Sequence, residues 1–210
     1  MPTGYEATPA AALPSVPDFE ALKNHGADDH WERSTPPGSP AGLQATSLQN
    51  WNLYVPRQGP LSPGVLDMWV RMAHGQRITQ TALGYVVDTV PVDLHNFLAS
   101  PELRELLNAP PARAGDSDVQ EIRQRDQERL ELWFPTVVLN LEAKMALPEE
   151  GAEWLAVRIT SKQVRDGKFD LEVLVRDLDG EIVALSHHVS MIVSMERNTG
   201  KKGSATKASL

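Results

Sequence analysis

The chain has 210 residues, 41% of them apolar and 23% charged, and its formal net charge is −8. These values are typical of one folded domain with extensions, and the acidic balance argues against nucleic acid as the main partner. The sequence contains no cysteine, which excludes a disulfide framework, a thiolate nucleophile and a thiolate metal site.

Targeting signals are weak throughout the sequence. The first residues lack the basic start and apolar core of a secretion signal, and no apolar run approaches the roughly 20 residues of a membrane span. We therefore expect an intracellular, cytoplasmic protein with no membrane span. A peroxisomal location stays open, although the final Ala-Ser-Leu lacks the basic residue of the usual signal.

Both ends of the chain are predicted to lie outside the folded domain. Residues 1–46 contain seven of the sixteen prolines, separated by alanine, glycine and serine. Such a leader buries too little apolar surface to offset chain entropy, so we expect it to be disordered. Residues 198–210 are expected to form a flexible basic tail, which leaves residues 47–197 as the folded domain.

The first part of this domain is predicted to contain two strands and a helix. Residues 47–57 favour an edge strand ended by Pro56, and residues 65–72 favour an interior strand, because both of its faces carry apolar side chains. Residues 77–90 favour a helix with Thr79 or Thr81 as N-cap. Gly84 inside this helix suggests a close approach of its backbone to the sheet. The apolar stripe consists of Ile78, Ala82, Tyr85, Val86 and Thr89.

The second part is predicted to be an antiparallel meander. It follows a charged helical excursion over residues 98–132 and a long strand over residues 133–147. Between residues 152 and 195, Asp166-Gly167 and Asp179-Gly180 separate three runs of alternating apolar residues. Asp-Gly favours a type I′ hairpin turn, which needs positive φ at both positions. The predicted fold class is α+β, a curved antiparallel sheet wrapped on one long helix.

The sequence lacks the short motifs of common enzymes. It has no glycine-rich phosphate loop, no nucleophile elbow and no zinc-binding helix motif. His187 and His188 are neighbours in a predicted strand, so they point to opposite faces and cannot chelate one ion. No metal and no cofactor is therefore predicted. One of the two is expected in a core or interface, where a structural imidazole is as plausible as a functional one.

Two further side chains are candidates for chemistry. Asp88 lies near the C-terminal end of the predicted helix, where the helix dipole disfavours an anion, and it borders the apolar stripe. A carboxylate in that position is costly unless it accepts hydrogen bonds. Thr136, early in the long strand, could hold a water or a carboxylate. A solvent-facing aspartate and a merely strand-forming threonine remain alternatives that the residues alone leave open.

Five segments of the sequence, taken in order, carry a resemblance to a known family. They are NWNLYVPRQG, MWVRMAHGQ, LGYVVDTVP, FPTVVLNLEAKMALPEEGAEWLAVRI and KFDLEVLVRDLDGEIVALSHHVSMIVSMERN. Together they resemble the acyl-CoA thioesterases of the double hot-dog type. The resemblance is stronger to fungal thioesterase-like proteins than to bacterial thioesterase II, and it spans about residues 30–198. It covers only the linker and the C-terminal hot-dog unit, which implies a single hot-dog unit in this chain.

The resemblance also implies a site. In thioesterase II an aspartate on the hot-dog helix, a threonine in the following strand and a glutamine in the last strand orient a water against the thioester carbonyl. Asp88 matches the aspartate and Thr136 the threonine, whereas His188 stands at the glutamine position. The implied general base is Asp88, and Thr136 and His188 would position it and the water.

The implied activity is hydrolysis of an acyl-CoA or a carrier-bound acyl thioester, in a setting such as product release in fungal secondary metabolism. The alternative is a non-catalytic, truncated hot-dog protein that binds an acyl chain or a partner subunit. The change of glutamine to histidine and the missing first unit favour this alternative. Because an unpaired hot-dog unit exposes a sheet edge, we expect a homodimer or pairing with another hot-dog unit.

Overall fold

The computed structural model of the chain describes residues 14–34, 49–62, 64–88 and 132–194. These residues contain two helices and ten strands. The helices are α1 (Phe19–His25) and α2 (Leu83–Asp88). The strands are β1 (Trp31–Arg33), β2 (Trp51–Pro56), β3 (Val65–Met72), β4 (Leu132–Trp133), β5 (Thr136–Ala143), β6 (Leu155–Thr160), β7 (Val164–Arg165), β8 (Lys168–Arg176), β9 (Ile182–Met191) and β10 (Val193–Ser194).

The strands form one large antiparallel sheet that packs against α2. The strand order is β1-β2-β3-β6-β8-β9-β5, with β7 paired to β8, and β4 pairs separately with β10. The predicted α+β architecture and the predicted interior strand β3 are thereby confirmed. The predicted long strand begins only at Thr136, because Leu132 and Trp133 pair instead with Ser194 and Val193.

The two Asp-Gly turns of the meander differ from each other. Asp166 and Gly167 have φ values of 52° and 69°, as a type I′ turn requires. At the second turn only Gly180 has positive φ, so the expected type I′ geometry is wrong there. The Asp177 carboxylate accepts hydrogen bonds from the N–H groups of Asp179 and Glu181 and closes a wider turn. These side-chain hydrogen bonds stabilise a turn in which Asp179 does not have to adopt the positive φ of a type I′ turn.

The predicted helix over residues 77–90 begins later than expected. Ile78 is extended, because its backbone exchanges hydrogen bonds of 2.7 and 2.9 Å with Ala152. A 3₁₀ turn at Gln80–Ala82 then leads into α2, and Thr79 precedes it without a side-chain capping bond. The described helix is therefore short.

The predicted stripe is largely buried, and Leu83 and Val87 are buried beside it. Ile78 and Val86 lie in the core, Ala82 and Tyr85 pack against it, and Thr89 lies outside the described residues. Leu83, Val86 and Val87 are each no more than 1% exposed. Each contributes about 1.5–3 kcal/mol through burial against β3, β6 and β8, which makes this face of the sheet (the α2 face) the main core. Gly84 does not approach the sheet: an added Cβ would meet nothing within 4 Å. The expected close approach at this glycine is wrong.

A second core covers the opposite face of the sheet, which we call the outer face. Phe19 of α1 packs on Trp69 and Trp154 with ring centroids 5.2 and 4.9 Å away, and Leu22 is fully buried. The Asp18 carboxylate caps α1 by accepting from the N–H groups of Glu20 and Ala21. The cluster consists of Leu22, Trp31, Tyr54, Trp69, Trp154 and Ala156.

This second core corrects two predictions. The expected disorder of residues 1–46 is wrong for residues 14–34, which form α1 and β1. The prolines of the leader lie on either side of a proline-free stretch, residues 18–34, that carries enough apolar side chains to pack. The expected edge position of β2 is also wrong, because β1 pairs with it through Glu32 and Val55.

Three predicted segments fall wholly or almost wholly outside the described residues. These are the rest of the leader, the charged excursion over residues 98–132, of which only Leu132 is described, and the tail over residues 198–210. Within the described part of the chain, no helix has the length and apolar character needed to cross a membrane.

Candidate active site

The structure brings two of the predicted side chains into direct contact where α2 ends and β5 begins. Asp88 is the last residue of α2, and Thr136 is the first residue of β5. The Thr136 hydroxyl donates a hydrogen bond of 2.8 Å to Asp88 Oδ1. The Asp88 side chain is 50% exposed, so this carboxylate borders both the core and open solvent.

His188 completes the group from the neighbouring strand. It lies on the α2 face of β9, and its side chain is fully buried. Its Nδ1 atom is 3.8 Å from Asp88 Oδ1 and makes no hydrogen bond within the described part of the chain. His187, by contrast, is exposed on the outer face, 3.7 Å from Glu172. The prediction that the two histidines point to opposite faces of the strand is confirmed.

Ser186 is a member of the site that the sequence did not reveal. It is fully buried two residues before His188 on the same face of β9, and its Oγ lies 2.8 Å from His188 Nε2. The same hydroxyl donates a hydrogen bond to the main-chain carbonyl of Asn140 on β5. The alternation of β9 placed Ser186 on the face of His188, but the bond to Asn140 depends on the pairing of β9 with β5.

Burial determines the charge state of the imidazole. Removal from water lowers the pKa of His188, because the charged ring is the form that loses hydration. The carboxylate of Asp88 opposes this effect by favouring the cation, and His187 adds slightly to it. The net direction is downward, so the His188 ring is neutral at neutral pH.

An open apolar strip continues from the polar group along β5. Leu139 and Leu141 pair with His188 and Ser186 across the sheet, and residues directly opposite in an antiparallel pair project to the same face. Both leucines are partly exposed, at 38% and 39%. A carboxylate, a hydroxyl and an imidazole thus stand beside apolar surface that a hydrocarbon chain can contact.

The described residues contain no cluster of side chains suited to binding a metal ion. Among the described residues, no three histidine, aspartate or glutamate side chains stand close enough to hold one ion. The predicted catalytic side chains at the site are Asp88, Thr136 and His188. Their catalytic roles remain a prediction.

Comparison with known proteins identifies relatives of the whole described fold. Residues 19–192 match the family model of the acyl-CoA thioesterase C-terminal domain. The chain is 67% identical over its full length to the thioesterase-like protein TwmA of Talaromyces wortmannii. It spans 60% of the length of that relative.

Solved structures show the same fold at low sequence identity. A hot-dog protein of Alicyclobacillus acidocaldarius superimposes with a TM-score of 0.56 at 16% identity, covering 92% of this chain and 58% of that one. A candidate thioesterase II of Thermobifida fusca gives a TM-score of 0.52 at 20% identity, with the same coverage. The predicted hot-dog fold is confirmed. Because the family model covers most of its length, the chain belongs to the acyl-CoA thioesterase family and corresponds to the C-terminal hot-dog domain of that family.

Proposed function

We propose that the chain hydrolyses an acyl thioester carried by coenzyme A or by an acyl carrier. The observation that supports this proposal is the convergence of Asp88, Thr136 and His188 beside an open apolar strip. A carboxylate that borders solvent can accept a proton from water, and the hydroxyl and imidazole beside it can limit how that water is oriented.

In the proposed reaction, Asp88 removes a proton from a water molecule as its oxygen attacks the thioester carbonyl carbon. A carbon–oxygen bond forms, the carbon–sulfur bond breaks, and the proton passes to the leaving thiolate. The products are a carboxylic acid and a thiol. Thr136 holds Asp88 Oδ1, whereas Oδ2 accepts no hydrogen bond within the described residues and can face the water. His188 helps to hold the water.

The substitution Asp88→Asn tests this assignment. The amide keeps the size of the side chain but cannot accept the proton, so hydrolysis should fall roughly 10²- to 10⁴-fold. Thiol release from short- and medium-chain acyl-CoA is the measurement, with circular dichroism to verify the fold. Asp29→Asn, at an exposed position near α1, is the matched control and should keep wild-type turnover. Unchanged turnover in Asp88→Asn would remove Asp88 from the mechanism.

A second candidate is a non-catalytic domain that binds an acyl chain or a partner subunit. The 3.8 Å separation between His188 Nδ1 and Asp88 Oδ1 favours this candidate, because the imidazole makes no direct bond to the carboxylate. A melting shift with coenzyme A or a fatty acid distinguishes the two. A shift without thiol release would support binding alone, whereas thiol release that Asp88→Asn abolishes would support the enzyme.

The fungal relative supports a narrower proposal about the setting. The chain shares 67% of its residues with a protein of Talaromyces wortmannii, and we propose that it releases a carrier-bound acyl product in fungal secondary metabolism. Parallel assays with the same acyl group on coenzyme A and on an acyl carrier protein test this. Faster release from coenzyme A would count against a carrier-bound substrate.

We further propose that β5 pairs with a second copy of the chain or with another hot-dog unit. Within the described residues, β5 pairs only with β9 and ends the sheet. Val137 and Val138 on this strand are 57% and 56% exposed, which is a liability for an unpaired edge. Size-exclusion chromatography with light scattering measures the assembly, and a stable monomer would contradict homodimerisation.

A further inference from the structure

We infer that Ser186 is a positioning residue that fixes the His188 proton on Nε2 and leaves the Nδ1 lone pair facing Asp88. Asp88 and His188 would then each accept one hydrogen bond from the attacking water, and only Asp88 would take up its proton. This inference rests on the proposed hydrolysis for its catalytic part, whereas the placement of the proton stands on the hydrogen bonds alone.

The position of the His188 proton follows from which groups can donate and which can only accept along the contact from Asn140 through Ser186 to His188. The Asn140 carbonyl can only accept, so the single hydroxyl proton of Ser186 is committed to it. The Ser186 oxygen can then only accept from His188 Nε2, 2.8 Å away, so Nε2 must carry a hydrogen. A neutral imidazole has one N–H, and its Nδ1 is therefore an acceptor.

This tautomer places two acceptors opposite each other. Nδ1 of His188 and Oδ1 of Asp88 are 3.8 Å apart, too far for a hydrogen bond and without a proton between them. The neighbours on the adjoining strands are apolar at this point: Leu139 on β5 and Leu171 on β8 pair with His188. A water that donates a hydrogen bond to each acceptor resolves the repulsion, and its oxygen lone pairs then point away from them. Because Nδ1 has almost no accessible surface, the side chains around it must shift to admit this water.

The lowered pKa of His188 supports the same arrangement, because burial keeps the ring neutral. A cationic ring would carry a proton on Nδ1 and bond directly to Asp88, which would remove the acceptor that holds the water. Ser186 and the burial of the ring therefore act in the same direction.

The contacts also exclude the more familiar role of a serine beside a histidine and an aspartate. In a serine hydrolase the histidine accepts the proton of the serine hydroxyl. Here the hydroxyl proton is directed to Asn140, and Ser186 is fully buried, so a substrate carbonyl cannot reach its oxygen. Ser186 orients His188 and is not a nucleophile.

Nitrogen NMR of the full-length chain tests the proton placement without any substrate. Long-range proton–nitrogen correlations distinguish Nε2–H from Nδ1–H, and His188→Gln assigns the signal among the six histidines. The wild type should show Nε2–H alone. In Ser186→Ala the Nδ1–H form should appear, because Asp88 becomes the better acceptor. A wild-type Nδ1–H ring, or an unchanged Nε2–H ring in Ser186→Ala, would overturn the inference.

Kinetics test the catalytic part. Ser186→Ala should lower kcat for a medium-chain acyl-CoA by about 10- to 100-fold, as when the hydrogen-bond partner of a functional imidazole is removed, with KM unchanged. Ser190→Ala, equally buried on the same face of β9, is the matched control and should keep wild-type kcat. Ser186→Thr should retain most activity and the Nε2–H signal.

The outcomes separate this inference from the proposed function. If Asp88→Asn abolishes hydrolysis while Ser186→Ala leaves kcat unchanged, the proposed function stands and the positioning role is wrong. If Ser186→Ala abolishes hydrolysis completely and wild-type protein accumulates an acyl-serine at Ser186, the serine is a nucleophile and the inference fails. If no hydrolysis is found at all, the water-holding role fails with it, and the NMR result still decides the proton placement.

Discussion

Thr136 and Asp88 form a contact between two residues that are 48 positions apart in the chain. The hydroxyl donates to a carboxylate that remains half exposed, so water competes for the same oxygen. A hydrogen bond in such a place contributes about 1 kcal/mol to stability. Its larger effect is geometric: it orients the carboxylate toward the group that includes His188. The catalytic proposal therefore depends on the contact between the end of α2 and the start of β5.

His188 gives the stability of the fold a pH dependence of defined sign. Burial lowers the pKa of this imidazole below its ordinary value of about 6.5. Above that value the ring is neutral in both the folded and the unfolded chain. As the pH falls below about 6.5, the unfolded chain takes up the proton first, so the free energy of unfolding decreases until the folded ring is protonated as well.

The substitution His188→Gln should remove this contribution. Urea denaturation at about pH 7 and about pH 5.5 should show a smaller loss of unfolding free energy in the variant than in the wild type. Ser190→Ala, a substitution without a titrating group at a buried position on the same face of β9, should keep the wild-type pH dependence. Equal pH dependence in the wild type and in His188→Gln would show that the buried ring does not titrate as described.

The sequence predicts those features of the site that depend on the residue pattern within a single strand or helix. It does not predict contacts that depend on how strands pair. Alternation along β9 was sufficient to place His187 and His188 on opposite faces, but it did not determine which of the two is buried. The role of Ser186 could not be predicted, because it depends on the register that brings the Asn140 carbonyl to its hydroxyl. The proximity of Asp88 and Thr136 was predicted only from the family resemblance, because no local sequence pattern relates residues so far apart in the chain.

Glycines show how elements differ in what they require of the backbone. Gly64 has a φ of +79°, and a Cβ there would stand 2.6 Å from the Ser161 carbonyl oxygen. Gly84 lies in α2 with no positive φ and no neighbour within 4 Å of an added Cβ. The first position requires glycine, whereas the second only bears the entropic cost of glycine in a helix.

The matched pair Gly84→Ala and Gly64→Ala should therefore change stability in opposite directions. Gly84→Ala should raise the free energy of unfolding by about 1 kcal/mol. Gly64→Ala should lower it by at least about 1–2 kcal/mol, through left-handed strain and the clash with Ser161. Urea denaturation measures both. A destabilised Gly84→Ala would show that the helix needs the glycine for a reason that its open surroundings do not reveal.

Elements were predicted well where the signal is local and poorly where tertiary pairing decides. Type I′ geometry at Asp166-Gly167 follows from the two residues themselves. The type I′ prediction for the same dipeptide at residues 179–180 was wrong, because the Asp177 carboxylate bonds to the N–H groups of Asp179 and Glu181 instead. α1 was missed because proline-rich composition around it masked the pattern of Phe19 and Leu22. Its stability comes from packing on Trp69 and Trp154, which lie far along the chain.

At the scale of the whole molecule, the sheet separates two cores. The α2 face buries the main core and ends at the candidate site, whereas the outer face buries the aromatic cluster beneath α1. The aromatic cluster is centred on β3 and its neighbours, whereas the main core extends across β8 to the start of β9. The sheet is less covered by other elements toward β5, because every residue of that strand is exposed. The candidate site therefore stands at the boundary between the packed part of the sheet and its open end.

The open end leads to a prediction about assembly. Val138 pairs with Val189 on the outer face, and the two side chains are 56% and 44% exposed. If a second copy pairs along β5, a lysine at Val138 should prevent it, because a charged side chain on an edge strand opposes strand addition. Val138→Lys should elute as a monomer in size-exclusion chromatography with light scattering, while its circular dichroism matches that of the wild type.

The control for this variant is Leu178→Lys, in the turn between β8 and β9. Leu178 is 52% exposed, so the substitution adds the same charge at a position of similar exposure away from β5. It should keep the oligomeric state of the wild type. If both variants remain dimers, the interface lies elsewhere on the molecule. If Leu178→Lys alone dissociates, the turn rather than the edge strand carries the contact.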